Sequence, residues 1–139
     1  NGVINTAAVR DEGTTISYVP LAYPAVADRH VVDALARAAK KLGYNFAEGI
    51  THSKDAFYAE IEPDNMPNSD YVKSRWQAWE RSNVMCSEME AAAIFIVSSI
   101  RNCRASAVMA YKKVNLQAAM ETAIEGLRIL IEEDKKLGR

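Results

Sequence analysis

Short apolar stretches alternate with helix-length segments along this whole chain, and that alternation most narrows the folds open to it. Val3 to Val9 is apolar and β-leaning, and it runs into a polar, turn-forming segment from Arg10 to Thr15. Asp28 stands where an N-cap is expected, ahead of Val31, Val32, Leu35, Ala38, Ala39 and Leu42, whose three-to-four spacing predicts a helix. Gly43 is its stop, with Arg37, Lys40 and Lys41 in the last turns, where cations suit the dipole. Phe46 to Thr51 reads as a strand, and Thr51 to Asp55 as the polar loop that ends it. Glu60 to Asp70, with its prolines, acids and asparagines, reads as loop. A helix is predicted from Tyr71 to Arg81, a strand over Val84 to Cys86, an apolar helix from Glu88 to Ile100 and a strand over Ala105 to Ala110. A long terminal helix spans Leu116 to Leu137, with Met120, Ala123, Ile124, Leu127, Leu130, Ile131 and Leu137 as its apolar positions. Strands joined by helix-length connections imply an α/β domain, its parallel or mixed sheet covered by helices.

The composition suits such a domain. The 139 residues carry 17 Lys and Arg against 18 Asp and Glu, a formal charge of -1, and 49% of them are hydrophobic. A chain this long buries roughly 68–70% of its extended surface, enough for a real core. Nucleic-acid binders typically show a basic excess or stripe, so the near-zero balance speaks against that class. The longest apolar run, Ala91 to Val97, falls well short of the roughly 20 residues that span a bilayer. No basic stretch leading into a long apolar segment opens the sequence, so no export signal is read there and a cytoplasmic location is expected. Cys86 and Cys103 stand 17 apart without a CxxC, which argues against a disulfide scaffold or a zinc site. Both are expected to be buried, reduced thiols, and no metal is expected.

The run Cys86-Ser87-Glu88-Met89-Glu90-Ala91-Ala92-Ala93 is the most informative. A strand ends and a helix begins there, placing two carboxylates where open α/β sheets bind ligands. Glu88, in a first helical turn, would offset the helix dipole and needs no further purpose. Glu90 is harder to assign to packing, and an ionised carboxylate can accept from two neighbouring hydroxyls, as a sugar diol offers. Other residues carry plainer readings. His30 is expected on the surface, Trp76 and Trp79 are expected to pack against the domain or a neighbouring subunit, and Lys112-Lys113 reads as a solvated basic pair. His52 lies in the polar loop near the proposed pocket. Asp55 is expected to fix that loop by accepting backbone hydrogen bonds.

The segment Ser87 to Phe95 closely resembles the sugar-binding signature of the nucleoside phosphorylase family, in its uridine phosphorylase branch. Three further stretches resemble that family in the same order: Asn5 to Thr15, Tyr23 to Asp28, and Ser53-Lys54-Asp55-Ala56-Phe57-Tyr58. The resemblance implies a three-layer α/β/α fold with a central mixed sheet, of which residues 1–139 form the C-terminal portion. The N-terminal portion that carries the phosphate-binding glycine and arginines is then absent, and only Arg10 lies near the start. It implies reversible phosphorolysis of a nucleoside to free base and ribose 1-phosphate, with inorganic phosphate as co-substrate and no metal or organic cofactor. Glu90 would hold the ribose hydroxyls as the catalytic carboxylate, with Met89 against the sugar and Glu88 beside them. Phe57 would line the base, with Glu60 and Ile61 at the positions that follow it, and Thr51, His52 and Asp55 would support the pocket. The pyrimidine branch carries a Gln at one of those positions and an Arg slightly further on. This chain has Glu60 and Ile61, and no arginine between Arg37 and Arg75.

The resemblance further implies a homo-oligomer, a hexamer or a dimer, with no nucleic-acid or membrane partner. Uridine or a related pyrimidine nucleoside is the first expectation for substrate. A purine-directed phosphorylase, a nucleoside hydrolase of the same superfamily and an inactive ligand-binding or assembly protein remain the alternatives.

Overall fold

The first apolar stretch becomes the spine of the sheet. In the computed structural model, which describes residues 1–138, β1 runs Gly2–Asp11 and β3 runs Phe46–Lys54 parallel to it, from Gly2 opposite Phe46 to Asp11 opposite Lys54. β4 (Cys86–Glu88) continues the parallel order beside β3, with His52 opposite Ser87 and Ser53 opposite Glu88. The other edge of β1 takes two antiparallel strands: β5 (Ala107–Ala110) along Gly2 to Asn5, and the two-residue β2 (Ala25–Val26) along Ala7 and Ala8. The sheet is therefore mixed.

Thr6 has no Cα partner on β3, where Asn5 pairs with Gly49 and Ala7 with Ile50. This bulge changes the phase of inward-facing residues. Ile4 accordingly belongs to the cluster of Leu35 and Ala39, on α1 (Arg29–Leu42). Ala8 belongs instead to the cluster of Ala91, Ala92, Phe95 and Ile96, at or within α4 (Ala91–Ile100). Val108 of β5 joins the first cluster while Ala107 and Met109 join the second, so the clusters lie on opposite faces of the sheet. The result is an α/β/α sandwich.

α1 starts and stops as its sequence requires. The Asp28 carboxylate accepts from the backbone N–H groups of His30 (2.9 Å) and Val31 (3.1 Å). Gly43 ends the helix at φ 76°, a left-handed conformation that costs glycine little. α5 (Leu116–Leu137) lies along α1, with Lys41 paired to Glu125 at 2.5 Å and Arg37 to Glu133 at 2.6 Å. The two helices approach closely at Gly126, where a Cβ would sit 2.8 Å from Leu35 Cδ2.

Several expectations change. The polar stretch Thr51 to Lys54 is not loop but the buried end of β3. Its side chains are paired within the protein, which lets polar residues occupy a buried strand. β4 is Cys86–Glu88 rather than Val84 to Cys86, so Glu88 ends a strand instead of sitting in a helical turn. The segment Glu60 to Asp70, read as loop, takes in the last two residues of α2 (Phe57–Ile61), a single 3-10 turn at Pro63–Asn65 and the first two residues of α3, which runs Ser69–Arg81. α5 keeps its expected bounds, but of its expected apolar positions only Leu130 is buried. Ala118, Ala119, Thr122, Gly126 and Leu130 pack inward, while Met120, Ile124, Leu127, Ile131 and Leu137 are exposed. Cys103 is exposed and Cys86 half-buried, both as free thiols.

Candidate functional site

The carboxyl ends of β1, β3 and β4 lie at one edge of the sheet, and the last residues of β3 alternate between two tasks. Thr51 and Ser53 serve the start of α4. The Glu88 carboxylate accepts from Ser53 Oγ (2.5 Å), Thr51 Oγ1 (3.2 Å) and the backbone N–H groups of Glu90 and Ala91 (2.6 Å each). Ser53 Oγ in turn accepts from the Ala92 N–H at 2.9 Å. The N–H groups of Glu90, Ala91 and Ala92 are thus held by two side chains. Glu88 is consumed by this cap. Glu90 is exposed, and one of its oxygens accepts from the Met89 N–H at 3.2 Å. The other oxygen meets no hydrogen-bond partner among the described residues. Met89 beside it is 37% exposed.

His52 and Lys54 serve the opposite side. His52 is fully buried, with Nε2 2.9 Å from Asp11 and Nδ1 3.2 Å from Ser87 Oγ. α3 lays Trp76 and Trp79 against its ring at centroid distances of 5.4 and 5.8 Å. That is the packing role expected of the two tryptophans. Lys54, also buried, donates to Ser87 Oγ at 2.7 Å. Arg75 of α3 grips Asp11 through Nε (3.2 Å) and Nη2. Burial alone would push the Asp11 carboxyl up, but hydrogen bonds from Arg75 and His52 outweigh it and hold the carboxyl below its ordinary range. Serine, histidine and aspartate stand in line here, as in a nucleophilic triad. The hydroxyl is nonetheless engaged by Lys54, by the His52 ring and by the His52 carbonyl (3.1 Å), and the imidazole has no route to a substrate. This line is a brace.

α2 stands beside the brace. Phe57 at its start is 52% exposed and meets Tyr58 edge-to-face. Ile61 is exposed and Glu60 half-buried. Burial pushes the Glu60 carboxyl above its ordinary range, against the pull of His52, Lys54 and the Trp76 indole. Asp55 Oδ2 accepts from the Gly13 N–H at 2.9 Å, so it ties the approach to α2 to the loop after β1. Arg10 spends most of its donors within the protein. Its guanidinium donates to Thr15 Oγ1 (3.0 Å) and to the carbonyls of Val19 (3.2 Å), Pro20 (2.7 Å), Leu21 (2.9 Å) and Tyr23.

Of the residues singled out from sequence, Thr51 and Glu88 meet directly, His52 joins the brace, and Phe57, Glu60 and Ile61 share α2. Sequence reading missed Asp11, Ser53, Lys54, Ser87 and Arg75. The signal that marks three of them is the period-two polar pattern Thr51-His52-Ser53-Lys54 at the end of an apolar strand, set against Ser87-Glu88.

The sheet is mixed, and its polar groups converge at the carboxyl ends of parallel strands, the end at which open α/β sheets commonly bind ligands. A family model described as "Phosphorylase superfamily" matches residues 2–130, and the chain belongs to that superfamily. Among similar proteins, a uridine phosphorylase of Treponema pallidum is 36% identical, with 95% of this chain and 57% of the relative covered. One of Thermococcus kodakarensis is 35% identical over 99% of the chain and 53% of the relative. A guanosine phosphorylase of Halorubrum lacusprofundi is 33% identical over 76% of the chain and 39% of the relative. The chain thus spans little more than half the length of the two uridine phosphorylases.

Proposed function

We propose that this chain forms the nucleoside-binding part of a phosphorylase that splits a nucleoside, first of all uridine, into free base and ribose 1-phosphate. The observation that carries the reading is the unequal fate of the two carboxylates. Glu88 is spent on the α4 cap, which leaves Glu90 beside Met89 exposed, with an oxygen free for the ribose hydroxyls. In phosphorolysis a phosphate oxygen bonds to the anomeric carbon as the glycosidic bond breaks, and the base departs with the bond's electron pair. Positive charge then grows on the sugar ring, as in glycoside chemistry. A carboxylate bound to the ribose hydroxyls stabilises that charge more in the transition state than in the ground state. Phe57 offers an aromatic face to the base. Inorganic phosphate is the co-substrate and no organic cofactor or metal takes part. The first amides of α4 are capped and Arg10 is mostly spent on Thr15 and nearby carbonyls, so neither is read as the phosphate cradle.

The relatives named uridine phosphorylase support a pyrimidine substrate, and the guanosine phosphorylase relative supports a purine as the second reading. A homo-oligomer suits the exposed apolar residues Met120, Ile124, Leu127 and Ile131 of α5. The test is base release from uridine, thymidine and inosine with and without phosphate. Phosphate-dependent release of uracil is expected. Release without phosphate would make the protein a hydrolase, and preference for inosine would move the substrate to the purines.

A further inference from the structure

A cavity of about 200 Å³ lies among α2, α3 and the end of β1, and Asp11, Glu60, Tyr71 and Arg75 are among its lining residues. At the ~30 Å³ that a water occupies in the liquid, it has room for roughly seven waters, on the scale of a single-ring base. The Arg75 guanidinium is held in place from several directions. Nε and Nη2 donate to Asp11, Nη1 donates to Tyr71 Oη at 3.1 Å, and the Tyr71 and Trp79 rings lie 5.3 and 5.2 Å away. Asp11 is itself fixed by His52. Two of the five Arg75 N–H groups then have no partner among the described residues. Glu60 lines the same cavity and makes no ion pair among the described residues.

A rigid cationic donor and a carboxylate acceptor in one small cavity match one kind of ring edge. That edge is a carbonyl next to a ring N–H, present in uracil, thymine, hypoxanthine and guanine. Cytosine and adenine offer an unprotonated ring nitrogen there instead, which would face the carboxylate without a proton to share. We propose that Arg75 and Glu60 are specificity-determining residues that read this carbonyl–N–H edge of the base, so that the protein takes keto bases and rejects amino bases. The inference rests on the nucleoside reading above.

The test is calorimetric binding of uridine, cytidine, 3-methyluridine and ribose 1-phosphate to the full chain and to its Arg75→Lys and Glu60→Ala variants. Uridine should bind the unaltered protein about 10–100-fold more tightly than cytidine or 3-methyluridine, the scale of one or two hydrogen bonds to charged groups. Arg75→Lys and Glu60→Ala should collapse that ratio to within about 3-fold while ribose 1-phosphate binding is unchanged. Equal binding of the three nucleosides, or an unchanged ratio in both variants, would overturn the inference and leave the nucleoside reading standing. Absence of binding by any nucleoside would overturn both. The comparison among ligands needs no variant to fold.

Discussion

Replacing Glu88 with alanine tests the division of labour between the two carboxylates. The substitution removes the acceptor of two backbone N–H groups and of the Thr51 and Ser53 hydroxyls, and both hydroxyl residues are fully buried. Loss of a helix N-cap costs about 1 kcal/mol. Each buried donor left without an acceptor costs roughly 1–3 kcal/mol, reduced here because Ser53 can rotate and the Glu90 N–H reaches solvent. About 3 kcal/mol in all is expected, or about 10 °C in Tm for a domain of this size. Glu90→Ala removes an exposed carboxylate with one weak backbone contact and should stay within about 0.5 kcal/mol of the parent. Urea and thermal unfolding followed by far-UV circular dichroism measure both. Equal losses for the two variants, or a Glu88→Ala protein as stable as the parent, would refute the reasoning.

Other perturbations probe the brace and the helix contact. Asp11→Asn breaks the Arg75 grip and should cost about 1–3 kcal/mol in urea unfolding at pH 7. Because the folded Asp11 carboxyl lies below its unfolded value of about 3.9, its stabilisation is full above that value and is lost as pH falls through the folded one. The gap between parent and Asp11→Asn should therefore narrow in acid. Glu60 runs the other way: its carboxyl is raised by burial, so its contribution is present below about pH 4.3 and is lost as pH rises through the folded value. Glu60→Gln should equal or exceed the parent in stability at pH 7 and lose any advantage near pH 4. Gly126→Ala presses a Cβ to 2.8 Å from Leu35 Cδ2 and should cost about 1–3 kcal/mol in thermal unfolding.

The helices were the legible part of this chain where local chemistry marks their ends. Asp28 and Gly43 delimit α1 in sequence and in space, and Leu116 to Leu137 is helical throughout its expected span. The inward face of α5 was hidden because close approach to α1 favours alanine and glycine over the larger apolar residues that catch the eye. β3 was cut short for a related reason. Polarity marks Thr51 to Lys54 as loop until Glu88, Asp11 and Ser87 are known to receive those side chains, and only strand register brings them together. The pair Glu88 and Glu90 stands out in the sequence, but which of the two caps α4 depends on which one Ser53 reaches. Arg75 could not be placed by sequence, since 64 positions separate it from its partner Asp11.

The central claim is that Glu90 is the carboxylate that acts on the sugar, and Glu90→Gln tests it most directly. The variant keeps the side chain's shape and removes its charge, so phosphate-dependent release of uracil from uridine should fall about 100–1,000-fold, the scale of losing one preorganised electrostatic contact in a transition state. Its Tm should match the parent's. Turnover within about 3-fold of the parent, in a protein that folds as the parent does, would contradict the account.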